Sequence, residues 1–147
     1  MRGRGVLASP PMTVYGTGID LITIDRISDV LGKHGERFLR RVYTTREVDY
    51  CGGRVQELAV RFAGKEAVMK ALGTGARGVG WREIEILANG RGKPLVLLHG
   101  RALARANHLS LSSIEISLTH EGGTAAAFAV GVERTSCPCD GRGWGEA

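Results

Sequence analysis

Residues 54–72 read RVQELAVRFAGKEAVMKAL, with Gly53 before them and Gly73 after them. The stretch has no proline and is rich in alanine, leucine, methionine, glutamate and lysine, so it predicts the strongest helix of the chain. Gly73 is a natural C-terminal cap because glycine readily takes the left-handed conformation that ends many helices. An alanine at every fourth position from Ala59 to Ala71 gives the helix a face of small side chains that another element can approach closely.

Before this helix the chain predicts one strand and two shorter helices. Residues 13–22 mix β-branched and aromatic residues with glycines, which is typical of a strand. Asp25 is placed to cap a helix with an apolar stripe at helical spacing. Thr44 and Glu47 match the capping box, in which each satisfies a free backbone N–H at a helix start, so a helix is expected over residues 45–51.

After the long helix, two hairpins and a short helix complete a single α+β domain over residues 13–134. The predicted strands and helix lie at 83–87, 94–98, 100–108, 113–118 and 124–132. The strand that contains Glu83 and Glu85 alternates polar and apolar residues and is expected to be half-buried. Pro94 suits the start of its partner strand. The second hairpin is expected to turn over residues 119–123.

The composition fits one soluble domain with anionic partners. Of the 147 residues 43% are apolar, which is enough for a core of ordinary size. No apolar run approaches the ~18 residues of a membrane-spanning helix, so no membrane association is expected. The 20 lysines and arginines against 15 acidic residues give a net charge of +5, which favours nucleic acid, phosphorylated small molecules or an acidic protein surface.

The two ends of the chain and its cysteines carry no clear functional signal. Residues 1–12 lack the ~7–15-residue apolar segment of a secretory signal, and residues 135–147 are rich in turn residues, so both ends are expected to be flexible. Cys51 stands alone, while Cys137 and Cys139 lack the further ligands of a zinc site. Since there is no disulfide framework, a reducing cytoplasm is expected.

Carboxylates and a lysine at the ends of apolar elements are candidates for chemistry. Asp20 follows the small residues of a strand, where its carboxylate can bind a hard cation such as Mg²⁺; the alternative is that it caps a turn. Glu66 and Lys70 lie four residues apart on one helix face, so both can meet one polyphosphate. The alternative there is an ordinary surface pair that contributes only ~0.3–0.5 kcal/mol.

Two further positions could serve a phosphate ligand. Gly73, Thr74 and Gly75 come directly after the long helix and can present backbone N–H groups to a phosphate, although a plain helix stop explains them equally well. His120 lies at the end of an apolar strand, where it can orient a phosphate or assist proton transfer. A lone turn histidine is more often structural.

Four segments, taken in order, resemble the signature segments of bacterial holo-acyl-carrier-protein synthases, which are 4′-phosphopantetheinyl transferases. They are GTGIDLITIDRI at 16–27, RFAGKEAVMKALGTG at 61–75, GKPLVLLHG at 92–100 and SLTHEGGTAAAFAV at 117–130. Each segment alone is a weak signal, but their content and order together make the match specific. The resemblance covers residues 14–132.

This resemblance implies an α+β fold of the 4′-phosphopantetheinyl transferase type, with an antiparallel sheet packed on one long central helix. It also implies a homotrimer with active sites between subunits. The implied activity is Mg²⁺-dependent transfer of 4′-phosphopantetheine from coenzyme A to a serine of apo acyl carrier protein, in fatty acid biosynthesis. Adenosine 3′,5′-bisphosphate is the implied second product.

The resemblance also assigns roles to individual residues. Asp20 and Glu66 match the magnesium ligands of the family, and with them Lys70 and His120 are expected to act in catalysis. The residues expected to contact coenzyme A are Arg61, Lys65, Lys70, Gly73, Thr74, Gly75 and His120. Glu47 matches a family carboxylate that is a possible base or water-holding group, although its capping-box role explains it equally well.

The sequence departs from the family pattern at a few positions, none of which removes a charged functional group. Gly64 and Thr119 stand where alanine and serine are commoner, and Glu-Gly-Gly follows His120 in place of an aromatic-containing turn.

Carrier proteins are acidic, so a basic row is the expected docking surface. It comprises Arg26, Lys33, Arg37, Arg40 and Arg41. Two other functions also fit the composition. A basic nucleic-acid-binding module is disfavoured because only 5% of residues are aromatic and they are scattered. A metal-dependent phosphohydrolase would use the same Asp20 and Glu66.

Overall fold

The computed structural model describes residues 12–134. Its elements are β1 (Thr13–Thr23), α1 (Ile24–His34), α2 (Glu36–Val42), α3 (Thr45–Cys51), α4 (Val55–Leu72), α5 (Gly75–Gly78), a 3₁₀ turn (Trp81–Glu83), β2 (Ile84–Ala88), β3 (Pro94–Leu98), α6 (Gly100–His108), β4 (Leu111–Glu121) and β5 (Thr124–Glu133). Every strand pairing is antiparallel, which confirms the predicted α+β class.

The segments predicted to be flexible, with Cys137 and Cys139, lie outside the described residues except for Met12. Within the described part, each helix is too short or too polar to cross a bilayer.

The strand β5 lies in the middle of a three-stranded sheet with the order β1-β5-β4, and β2 pairs with β3 in a separate hairpin. The register places Asp20 opposite Ala127, and Ala127 opposite Leu118. β4 and β5 extend farther than predicted, so the expected turn contracts to Gly122 and Gly123. Both have positive φ, 56° and 79°, as a two-residue hairpin turn of this kind requires.

The helix α4 packs across β1 and β5. Ala59, Ala63, Ala67 and Ala71 are all buried, as their spacing predicted. A Cβ atom added at Gly18 would lie only 1.9 Å from the carbonyl oxygen of Ala67. The backbones of the strand and the helix are therefore in direct contact at this point.

Side-chain caps begin α3 but not α1. Thr44 Oγ1 accepts a hydrogen bond from the Glu47 N–H at 3.3 Å, and Glu47 Oε2 accepts one from the Thr44 N–H at 2.8 Å, which confirms the capping box. At α1 the prediction was wrong, because Thr23 is the N-cap and Asp25 lies in the first turn. A carboxylate in the first turn is still favourable, since it lies near the positive end of the helix dipole.

The strand β2 begins buried instead of alternating, so the half-buried prediction was wrong. The carboxylate of Glu85 is buried because it accepts a hydrogen bond from the Thr44 hydroxyl at 2.5 Å and from Arg46 at 3.2 Å, and His99 Nε2 lies 3.3 Å away. Burial alone raises the pKa of Glu85, but these hydrogen bonds and the Arg46 charge outweigh it and leave the pKa below its ordinary value.

Gly18→Ala should strongly destabilise the fold, because the added methyl group has no space against the Ala67 carbonyl unless β1 separates from α4. Overpacking a core costs ~1–3 kcal/mol, and a clash with backbone is expected at or above the upper end of that range. Urea unfolding followed by circular dichroism measures the free energy of unfolding.

Gly32→Ala is the control, because Gly32 is exposed on α1 and no atom lies within 4 Å of an added Cβ. This change is expected to be neutral or to stabilise by up to ~1 kcal/mol through helix propensity. Equal free energies of unfolding for the two variants would contradict the direct contact between β1 and α4.

Candidate active site

The far end of β1 and the middle of α4 bring Asp20, Glu66 and Lys70 together. Lys70 Nζ donates hydrogen bonds to Asp20 Oδ1 at 3.1 Å and to the carbonyl oxygen of Ile19 at 2.7 Å. The carboxyl group of Glu66 lies close enough to Asp20 for the two charges to interact. Lys70 thus pairs with the strand carboxylate, so the surface-pair interpretation of Glu66 and Lys70 does not describe the contact that forms. We refer to these three residues as the carboxylate cluster.

Backbone geometry explains why these side chains meet. Asp20 occupies the same register position as Ala127, which is buried on the side of the sheet that α4 covers. Side chains at paired positions share one face of a sheet, so Asp20 lies on the α4 side. Glu66 and Lys70 are neighbours one turn apart on α4. The close contact at Gly18, two residues before Asp20, keeps the helix within their reach.

Burial raises the pKa of Glu66 above its ordinary value, and the charge of Asp20 and the hydrogen bond with it raise the pKa further. The charges of Lys70 and Arg26 act in the opposite direction. Two neighbouring carboxyl groups offer oxygen ligands to a cation, whose charge would favour the ionised form of both.

Asp20 and Glu66 could hold a magnesium ion to which the protein supplies only part of the coordination shell. Mg²⁺ prefers oxygen ligands and usually keeps several waters, so two carboxylates with water or phosphate oxygens can complete its octahedron. Among residues 12–134, no group of three or more histidine, cysteine, aspartate or glutamate side chains forms a fuller site. Any further ligands would have to come from outside these residues, such as solvent or substrate.

His120 lies apart from the carboxylate cluster. It pairs across β5 with Ala125, which in turn pairs with Ile22, so His120 is two strand spacings, roughly 10 Å, from β1. His120 lines a cavity of about 330 Å³ together with Thr119 and Arg61. The structure thus places Lys70 in the carboxylate cluster but Arg61 and His120 at this cavity.

Arg61 is buried, yet it reaches the cavity. Its Nε donates to the carbonyl oxygen of Ile86 at 3.0 Å, and its Nη1 donates to Glu57 Oε2 at 2.6 Å. The ring of Tyr50 lies 4.4 Å from the guanidinium carbon. Within residues 12–134, Nη2 has no hydrogen-bond partner, so this nitrogen is the part of the guanidinium left for a ligand.

Lys65 does not face a ligand, so the expectation that it contacts coenzyme A was wrong. The side chain is fully buried, and its ammonium group donates to Glu47 Oε2 at 2.8 Å, to the Trp81 carbonyl at 3.0 Å and to the Ile84 carbonyl. Burial lowers the pKa of Lys65, while the nearby charge of Glu47 opposes that shift. All three ammonium hydrogens are therefore used inside the core.

Glu47 is also bonded within the core, so the structure gives no support to the hypothesis that it serves as a base. Its Oε1 accepts from the Ile86 N–H at 2.9 Å, and its Oε2 accepts from Thr44 and Lys65. The carboxylate is completely buried. The capping-box explanation is correct, and the same carboxylate also joins α3 to α4 and β2.

The loop after α4 is mainly a helix stop. Gly73 has φ 71° and donates its N–H to the Lys70 carbonyl, and Thr74 donates its N–H to the Met69 carbonyl. These two N–H groups are therefore not free for a phosphate, contrary to the expectation. Thr74 Oγ1, however, is buried. This hydroxyl lacks a hydrogen-bond partner among the described residues.

Sequence reasoning did not identify Tyr50 and Glu57 as neighbours of Arg61. It also assigned Arg26 only to docking, although the charge of Arg26 also acts on Glu66. The i,i+4 spacing of Glu57 and Arg61 was a local signal for one of these contacts. No local signal pointed to the others, because they join separate elements.

Comparisons with known proteins agree with this arrangement. A model of the 4′-phosphopantetheinyl transferase superfamily matches residues 16–130. The holo-[acyl-carrier-protein] synthase of Herpetosiphon aurantiacus is 48% identical over 123 residues, covering 79% of this chain and 97% of that protein. The range matched by the superfamily model includes the carboxylate cluster and the residues that line the cavity.

Solved structures agree as well. The crystal structure of holo-[acyl-carrier-protein] synthase from Neisseria meningitidis aligns with a TM-score of 0.74 at 37% identity, covering 81% of this chain and 98% of that one. The enzyme of Helicobacter pylori in complex with coenzyme A aligns with a TM-score of 0.73 at 28% identity, covering 78% and 98%.

Lys65→Met should lower the free energy of unfolding by ~3–5 kcal/mol, because it leaves the Glu47 carboxylate buried without its cation. Adding Glu47→Gln removes that stranded charge and should recover part of the loss. Urea unfolding of the single and double variants measures both effects.

Lys93→Met is the matched control, since its pair with Glu115 spans 3.1 Å but both side chains are more than half exposed, at 57% and 56%. Breaking an exposed pair costs ~0–1 kcal/mol. If Lys65→Met costs no more than this control, the buried pair does not have the structural role assigned to it.

Proposed function

Because the chain belongs to the holo-[acyl-carrier-protein] synthases of the 4′-phosphopantetheinyl transferase superfamily, we propose that it moves 4′-phosphopantetheine from coenzyme A to a serine of apo acyl carrier protein, with Mg²⁺. The second product is adenosine 3′,5′-bisphosphate. The observation that carries this proposal is the carboxylate cluster, which places two metal-binding groups and one cation beside each other within the matched range.

The reaction determines what the site must supply. The serine oxygen attacks the phosphorus that bears pantetheine, the bond from that phosphorus to the bridging oxygen breaks, and the serine proton is released. Negative charge accumulates on the leaving phosphate. Enzymes obtain most of their phosphoryl-transfer catalysis by positioning the groups and offsetting such charge.

Asp20 and Glu66 would hold the magnesium ion, and when bound the ion offsets charge on the pyrophosphate oxygens and orients them. Lys70 would add a second positive charge to the same group. Its ammonium group is about half exposed and already anchored by Ile19 and Asp20, so it can donate its remaining hydrogen to a phosphoryl oxygen without moving far.

The cavity beside His120 would bind the other charged end of coenzyme A. Arg61 and His120 both line this space, together with apolar side chains such as Val60 and Leu118. The Helicobacter pylori enzyme has been solved with coenzyme A, which supports a coenzyme site on this fold. The unpartnered Thr74 hydroxyl supports a further contact at the loop after α4.

An acidic carrier protein would dock on the exposed basic row of α1 and α2. Arg26 lies at the start of this row, and its charge already acts on Glu66. A partner bound there would therefore have its surface close to the carboxylate cluster. Complementary charge mainly speeds the encounter of two proteins.

We also infer a homotrimer with active sites between subunits, as in the family that the sequence resembles. The sheet face turned away from α4 carries large apolar side chains in the open, including Ile19 at 61% and Leu21 at 66% exposure, with Phe128 close to them on β5. An exposed apolar face of this kind supports burial against another copy of the chain. Because Ile19 and Leu21 flank Asp20, such an interface would adjoin the carboxylate cluster.

Neither alternative function is favoured by a specific observation. The match to the transferase superfamily covers both regions of interest, and the exposed basic row needs no nucleic acid to explain it. A hydrolase using Asp20 and Glu66 would release phosphopantetheine into solution instead of attaching it to protein.

Incubating the protein with apo acyl carrier protein, coenzyme A and magnesium should add the mass of one phosphopantetheine to the carrier. Glu66→Ala should abolish the gain within the assay because it removes half of the protein's metal ligands. Intact mass spectrometry measures the carrier, and adenosine 3′,5′-bisphosphate is followed by chromatography.

Asp49→Ala, at an exposed carboxylate on α3, is the control and should retain the activity of the unmodified protein. Full transfer by Glu66→Ala, or transfer without magnesium after chelation, would contradict the proposed metal site. Free phosphopantetheine in solution, without a mass gain on the carrier, would favour the hydrolase instead.

Arg26→Glu should raise the KM for carrier protein about tenfold or more while raising the KM for coenzyme A much less, since reversing the charge repels an acidic partner. Lys33→Glu tests the same surface at the other end of α1, in its last turn. Initial rates at varied carrier and coenzyme concentrations measure both constants.

Arg134→Glu makes the same charge change at the opposite end of the sheet, next to the β1 start, and should leave both constants nearly unaltered. Equal increases in the two KM values for Arg26→Glu and Lys33→Glu would argue against docking through this row.

A further inference from the structure

The cavity beside His120 contains a negative group that the proposed function does not require. Glu57 lines the same space as Arg61 and His120, and its carboxylate contacts the Arg61 guanidinium at 2.6 Å. Coenzyme A is polyanionic, so a carboxylate in the wall of its binding cavity repels it. The presence of Glu57 there therefore calls for a physical explanation.

Glu57 is not needed to hold Arg61 in place. The Ile86 carbonyl accepts from Nε, the main-chain carbonyl of Glu57 accepts from Nη1 at 3.3 Å, and the Tyr50 ring covers one face of the guanidinium. Arg61 is only 2% exposed, which leaves it little freedom to move. The main contribution of the Glu57 carboxylate is therefore its negative charge, because other contacts already position the Arg61 guanidinium.

That added charge matters because Arg61 is buried. A buried cation without a counter-ion is costly, and Glu57 compensates it while the cavity holds no anion. An anion that approaches Nη2 meets a guanidinium whose charge is already offset, and it also meets the Glu57 carboxylate a few ångströms away. The ion pair between Glu57 and Arg61 stabilises the buried guanidinium while no anion is bound. The same pair must therefore lower the affinity of the cavity for an anion.

We propose that Glu57 is an internal counter-ion that competes with the anionic end of coenzyme A for Arg61, and so limits how tightly the cavity holds that end. This inference rests on the proposed function, which assigns the cavity to the coenzyme. Its consequence is easier release of adenosine 3′,5′-bisphosphate, the product that keeps this end of the coenzyme after transfer.

Calorimetric titration with adenosine 3′,5′-bisphosphate tests the proposal on the full-length protein. Glu57→Gln keeps a hydrogen-bond acceptor for Arg61 but removes the charge, and it should tighten binding roughly three- to tenfold. Glu57→Ala removes both the charge and the acceptor, and it should tighten binding as well because the other contacts hold Arg61. Both variants should also show stronger product inhibition in the transfer assay.

Glu36→Gln is the matched control. Glu36 and Arg40 form the same i,i+4 pair at 3.1 Å, but on an exposed surface where the two side chains are 80% and 81% accessible. Removing this carboxylate changes the net charge by the same amount as Glu57→Gln does. The affinity for bisphosphate should stay within about twofold of that of the unmodified protein, because solvent screens the charge of Glu36.

Unchanged or weaker binding by both Glu57 variants would overturn the proposal, and weaker binding by Glu57→Ala alone would identify Glu57 as a positioning residue instead. A purely structural role would lower the melting temperature without tightening the affinity. Failure of the proposed function is distinguished by the unmodified protein: if it neither binds bisphosphate nor modifies carrier protein, the cavity assignment itself is wrong.

Discussion

The strand β1 crosses α4 so closely that glycine is required where they meet. A Cβ at Gly18 would lie 1.9 Å from the Ala67 carbonyl oxygen, and one at Gly16 would lie 2.9 Å from the Ala71 carbonyl oxygen. Small residues on both sides let backbone pack against backbone, which fixes the helix axis relative to the strand. Asp20 follows two residues after Gly18, so this contact determines whether its carboxylate can meet Glu66 and Lys70. The candidate metal site depends on it directly.

The charged residues of α4 are divided between the core and the ligand side. Lys65 points into the core, where it joins α3, β2 and the 3₁₀ turn through Glu47 and two backbone carbonyls. Its sequence neighbour Glu66 points to the other side, toward Asp20. Arg61 combines both roles. It is buried and its Nε and Nη1 donate hydrogen bonds within the protein, yet the residue also lines the cavity. One helix therefore supplies both a structural ion pair and ligand-facing charges.

Under the proposed function, the two ligand-facing regions would bind the two ends of one substrate. The carboxylate cluster suits a pyrophosphate with its cation, and the cavity beside His120 suits a second charged group about 10 Å from β1. The exposed side chains of Ile19 and Leu21 flank Asp20, and Arg26 of the basic row acts on Glu66 through its charge. The proposed transfer of phosphopantetheine from coenzyme A to a carrier protein needs such a meeting point of surfaces.

The sequence by itself determined the elements that local interactions specify. Helix propensity and Gly73 predicted α4, the pattern of Thr44 and Glu47 predicted the start of α3, and alternation with turn residues predicted both hairpins. The family resemblance also pointed to Asp20 and Glu66, which the structure brings together. Only the tertiary structure decided which charged side chains are buried. Glu47, Lys65 and Glu85 look like ordinary surface residues along the chain, because burial of a charge depends on partners from distant segments, and those partners are brought within hydrogen-bond distance only when the elements pack.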